Sequence, residues 1–142
     1  MFKTKTMLAT LALGAAVAFA GSALAADKLK ATLDGKSEVP ANTSAGKGTA
    51  DLEWDAASKK LSWKITYSGL SGPATAAHFH GPAAAGANAG VAVAIPNATS
   101  SPVEGSATLT DAQAADLAGG KYYINIHTAA NPGGEIRGQV MK

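Results

Sequence analysis

Two stretches decide the fold, Ala50-Asp51-Leu52-Glu53-Trp54 and Leu61-Ser62-Trp63-Lys64-Ile65-Thr66-Tyr67. In the first, Ala50, Leu52 and Trp54 fall on one side and the two acids on the other. In the second, Leu61, Trp63, Ile65 and Tyr67 alternate with polar residues. Successive side chains on a strand point to opposite faces, so this period of two marks strands with one buried face. Residues 55–59 between them read as a hairpin loop.

Outward from this pair, further short strands are expected over residues 29–33, 75–80, 91–95, 103–109, 122–128 and 135–140. Gly and Pro punctuate the gaps, as at Gly69, Gly72-Pro73, Gly81-Pro82, Pro96, Pro102 and Pro132-Gly133-Gly134. One short helix interrupts them. Thr110 has the place of an N-cap and Gln113 that of its capping-box partner, and Gly119-Gly120 ends the run. Seven or eight short strands with turns between them predict an all-β fold, a Greek-key β-sandwich or flattened barrel with one short helix. The Ala- and Gly-rich residues 83–90 read as a mobile loop inside a single domain.

The first 25 residues read differently. Lys3 and Lys5 precede an apolar run over residues 7–20, and Ala23-Leu24-Ala25 is a small-x-small cleavage site. This is the pattern of a secretory signal peptide, too short for a stop-transfer helix. The expected organisation is a leader over residues 1–25 and one domain over 26–142, periplasmic or extracellular, with no membrane span after cleavage. The full chain of 142 residues has 12 basic and 10 acidic residues, a formal charge of +2. Without Lys3 and Lys5 the bases and acids balance. No clustered basic face argues for a nucleic-acid partner, and no protein partner is legible. The chain has no Cys, which excludes disulfides, thiol nucleophiles and Cys-based zinc sites.

Three His remain as soft-metal ligands: His78, His80 and His127. Residues two apart on a strand share a face and lie roughly 6.5–7 Å apart. His78 and His80 would thus reach one ion, with Ala77 and Phe79 turned to the core. In Tyr123-Ile124-Asn125-Ile126-His127 the isoleucines take one face and Tyr123, Asn125 and His127 the other. If the two strands are neighbours, three imidazoles converge, a donor set that suits copper or zinc rather than Mg or Ca. The alternative is that the His brace the loops over residues 81–90 and 128–134 without metal. Glu135 and Arg137, two apart on the last strand, are expected to share a face and to be able to pair. Trp54, Trp63, Tyr67 and Tyr122 are expected in the core. No nucleophile elbow, phosphate-binding loop or general acid/base pair is present, so no catalytic residue is named.

Glu38-Val39-Pro40, Gly48-Thr49-Ala50, Gly69-Leu70, Ala77-His78-Phe79-His80-Gly81-Pro82-Ala83, Tyr123-Ile124-Asn125-Ile126-His127-Thr128 and Asn131-Pro132-Gly133-Gly134-Glu135-Ile136-Arg137-Gly138-Gln139 together resemble the CHRD (chordin) domain, here of the secreted microbial type. That resemblance implies an extracellular domain and no particular activity. The order of hairpin, Gly69-Leu70, His78-x-His80 and a late strand ending in His127 is also similar to copper-zinc superoxide dismutase. That similarity implies a superoxide-dismutase-like Greek-key barrel with His78, His80 and His127 as copper ligands. The bridging His, the zinc ligands and the disulfide of that family have no counterpart. Three functions follow: copper (or zinc) binding in metal handling or metal-stabilised structure, a metal-free interaction module at the cell envelope, and copper-dependent redox chemistry on superoxide or a similar oxidant.

Overall fold

The computed structural model describes Gly21 and residues 24–142. The expected leader lies outside the described residues except for Gly21, Leu24 and Ala25. Eight strands form one antiparallel sheet: β1 (Asp27–Asp34), β2 (Lys47–Asp55), β3 (Lys60–Ser68), β4 (Ala74–His80), β5 (Val91–Ile95), β6 (Val103–Thr108), β7 (Tyr123–Thr128) and β8 (Ile136–Gln139). Their order across the sheet is β5-β4-β7-β8-β1-β2-β3-β6. The sheet curls into a nearly closed barrel whose edges are β5 and β6. The connection from β3 to β4, and the one from β6 to β7 that carries helix α1 (Asp111–Ala118), each join strands that are not neighbours. All-β architecture with one short helix is therefore the fold.

Every inward position of β2 is buried and every outward one exposed. The register aligns Leu29 with Leu52 and Leu52 with Trp63, while Ala50 sits between Ala31 and Ile65. Large and small residues thus alternate across the barrel wall and interdigitate inside it. Trp63 lies opposite Gly105, where a Cβ would stand 2.8 Å from the indole, so the glycine makes room for the ring. Across the interior Trp63 meets Phe79 edge-on, with ring centroids 5.2 Å apart.

The helix begins at the expected cap. The Thr110 hydroxyl accepts from the Gln113 amide at 3.2 Å, and the Gln113 side chain accepts from the Thr110 amide at 3.0 Å. Leu117 is its buried residue. Trp54, Trp63 and Tyr122 are in the core as expected. Tyr67 is only half-buried and gives its hydroxyl to the Ala98 carbonyl at 2.8 Å. Among the described residues no helix is long and apolar enough to cross a membrane.

Candidate metal centre

β4 and β7 are neighbours in the sheet, which is the condition for the three His to meet. Their outward residues form cross-strand rows: Ala76 beside His127, His78 beside Asn125, and His80 beside Tyr123. Asn125 faces Arg137 and Tyr123 faces Gln139 on β8. The inward residues Ala77, Phe79, Ile124 and Ile126 are buried in the barrel. Unlike β2, β7 is also buried outside, at Tyr123 and Asn125. The three His thus converge on the outer wall in a partly covered recess, with His80 only 9% exposed.

One nitrogen from each of His78, His80 and His127 lies within 4.8 Å of the other two. Three atoms that close share a point no more than about 2.8 Å from each, and metal–imidazole bonds of about 2.0–2.1 Å require little further contraction. Nδ1 of His78 already stands 3.0 Å from Nε2 of His127.

Backbone carbonyls fix two tautomers. Nδ1 of His127 donates to the Pro132 carbonyl at 2.8 Å, and Nδ1 of His80 donates to the Ala89 carbonyl at 3.0 Å. A carbonyl can only accept, so each Nε2 keeps its lone pair. Nε2 of His127 accepts from His78. Nε2 of His80 is buried and, among the described residues, has no hydrogen-bond partner. An orphaned lone pair in a buried place is what an absent cation would satisfy. The donor set fits copper or zinc: it needs only the His78 proton to move to its other nitrogen.

Electrostatics keep two of these rings neutral. Burial pushes the His78 pKa below its ordinary value, and the neighbouring imidazoles His127 and His80 push it the same way. Burial also lowers His80, against the opposing hydrogen bond with Ala89 and the nearby Asn125 side chain, and with help from the neighbouring His127 ring and the charge of Arg137. Neutral imidazoles are the form that binds metal.

The loop over residues 81–90 was expected to be mobile, but it is strapped to the wall. The Tyr123 hydroxyl donates to the Ala89 carbonyl and accepts from its amide, both at 3.1 Å. Arg137 donates to Asn88 Oδ1 at 2.8 Å and to the Ala87 carbonyl, and Gln139 donates to the Ala83 carbonyl at 2.9 Å. These straps hold Ala89 where it orients His80, the part that outer partners play in metal sites.

The expected pairing of Glu135 with Arg137 does not occur. Glu135 lies before β8, fully buried, and its carboxylate accepts from Ser44 Oγ at 2.9 Å, Thr128 Oγ1 at 2.8 Å, Asn131 Nδ2 at 3.0 Å, and the amide and hydroxyl of Ser71. These donors saturate it, and it needs no cation. Arg137 instead covers the Tyr123 ring, its Cζ 3.4 Å from the centroid. The other face-to-face partner of that ring is His80, parallel within 3° and 4.9 Å between centroids. Tyr123, Asn125 and Arg137 are thus parts of the site that sequence reasoning assigned no role in it. The signal for the first two was present, since their phase with His127 puts them on its face. Glu38 carried none.

Glu38 comes from the loop after β1 and packs beside Asn125 at Gly134. A Cβ on Gly134 would stand 2.4 Å from Glu38 Oε1 and 2.6 Å from Asn125 Nδ2, and its φ is +126°. Only glycine lets these groups approach there.

No curated protein and no solved structure matches the chain. The CHRD domain family matches over residues 29–140, a span that contains all eight strands' packed residues, the three His and the Glu135 anchor. By that match the chain belongs to the CHRD-domain family.

Proposed function

We propose that this CHRD-domain protein is exported and binds one copper ion, with zinc as second choice, through His78, His80 and His127. The role is metal handling or metal-stabilised structure. The observation that carries this reading is the orphaned Nε2 of His80, beside two other imidazoles whose nitrogens lie within 4.8 Å. The carbonyls of Ala89 and Pro132 hold His80 and His127 with lone pairs ready, so little ordering remains to be done on binding. The half-buried edges of His78 and His127 leave one side open for water as a fourth ligand.

Calorimetric titration of metal-free protein with Cu(II) and with Zn(II) tests this. One ion per chain is expected, and His80→Ala should lose most of the affinity. Equal binding by wild type and His80→Ala would sink the three-His site. A second reading rests on the same carbonyl bonds: the His brace the two loops without metal, in an interaction module at the cell envelope. It predicts a melting temperature indifferent to chelators.

A further inference from the structure

The ligand triad carries no negative charge. Among the described residues the one candidate group consists of three imidazoles, with no carboxylate in it. A positive charge stands close by instead. Arg137 is 2% exposed, and its hydrogen bonds go to an amide oxygen and a backbone carbonyl, both uncharged. The salt bridges among the described residues do not include it. Its guanidinium lies on Tyr123, and Tyr123 lies on His80. These stacking distances place the cation within about 8 Å of the His80 ring, a range at which charges interact appreciably in a protein.

We propose that the site selects cuprous copper over cupric copper and zinc, with Arg137 acting as an electrostatic positioning residue through the Tyr123–His80 stack. This rests on the three-His reading and goes beyond it to the charge state of the ion. A doubly charged ion adds one more unit of charge opposite a guanidinium that cannot lose its proton. No ligand carboxylate compensates. At this range one unit of charge shifts relative affinity by on the order of tenfold. Coordination permits the same choice: Cu(I) is singly charged and three nitrogen donors can hold it, whereas zinc takes a fourth ligand to complete a tetrahedron. The carboxyl that faces Arg137 does not cancel its charge fully. Burial pushes Glu38 up to about 7 against the pull of Arg137, so at neutral pH it is only partly ionised.

The test compares three ions on the full folded protein. Cu(I) is titrated anaerobically with ascorbate as reductant, in competition with bicinchoninate. Cu(II) is titrated against glycine and Zn(II) against a chromophoric chelator. Wild type should hold Cu(I) at least tenfold tighter than either divalent ion. Arg137→Met should lower the ratio of Cu(I) to Cu(II) affinity about tenfold, a fall of about 59 mV in the one-electron potential. Arg137→Lys, which keeps the charge, should restore part of it. Cu(II) or Zn(II) bound by wild type as tightly as Cu(I) would overturn the proposal, even if the Arg137 variants do not fold. So would a folded Arg137→Met protein with an unchanged potential. Failure of all three ions to bind would overturn the three-His reading itself. Binding through the His with a divalent preference would overturn this inference alone.

Discussion

Glu38 and Glu135 are both buried, and their surroundings drive their acidities apart. Burial alone would raise Glu135, but the hydrogen bonds from Ser71, Thr128 and Ser44 bring it down to about 2. Glu38 has no donor at Oε1 among the described residues, and burial lifts it to about 7. The consequences for stability have opposite sign. Glu135 is held below its unfolded value of about 4.3, so its contribution is present above that pH and is lost as pH falls toward 2. Glu38 is held above the same value. Its contribution is fully present below that pH and is lost as pH rises through 7. Each displacement corresponds to about 3 kcal/mol. Urea unfolding at pH 3, 5 and 8 is the measurement. Wild type should weaken between pH 5 and 8, and Glu38→Gln should not. A parallel decline in both proteins would show that Glu38 is not the cause. Glu135→Gln should lose roughly 3 kcal/mol at pH 7, because an amide nitrogen then faces donors that expect an acceptor.

At the level of elements, β8 shows how close backbones can come. A Cβ on Gly138 would stand 2.2 Å from the Thr32 carbonyl oxygen and 2.7 Å from its carbon. Neither atom belongs to a side chain that can swing away. Gly138→Ala should therefore push β8 off β1 and destabilise by about 1–3 kcal/mol or more. Gly72→Ala is a suitable control, since a Cβ there meets nothing within 4 Å. Equal stability of the two variants would argue against a tight β1–β8 contact. The strands were largely legible because Leu52, Trp54, Leu61, Trp63 and Ile65 obey a strict period of two on a wall with one wet face. The helix was legible from Thr110 and Gln113 because capping is local chemistry. The His triad was legible as a candidate because His78 and His80 share a face by spacing alone. Its surroundings were not. Period two says which face a residue takes but not which loop covers that face. Nothing local brings Glu38 to Asn125, or Arg137 to Tyr123. The Glu135–Arg137 pairing fails for the same reason, since two of the groups that saturate Glu135, Ser44 and Ser71, come from loops distant in sequence.

For the whole molecule, a metal held by β4 and β7 ties two strands at the centre of one half of the barrel. Binding to the native state alone stabilises by mass action, about 2.7 kcal/mol when free metal is 100 times Kd. For a domain of this size that amounts to a rise of roughly 10 °C in Tm. Scanning calorimetry with and without copper should show this rise, and a chelator should reverse it. His127→Ala should show neither.

The first and last of the eight strands meet in the middle of the sheet. Asp34 pairs with Arg137, and Lys30 exchanges two hydrogen bonds with Met141, at 2.7 and 2.8 Å. β1 thus waits for residues 137–141 before its outer edge is satisfied. Such a wall cannot be completed progressively from β1 onward. Pairing β1 with β8 gathers a long loop, a kind of topology that folds slowly. Until β8 docks, β1 offers a bare edge to any other strand, a hazard during folding that β1 no longer carries in the folded sheet.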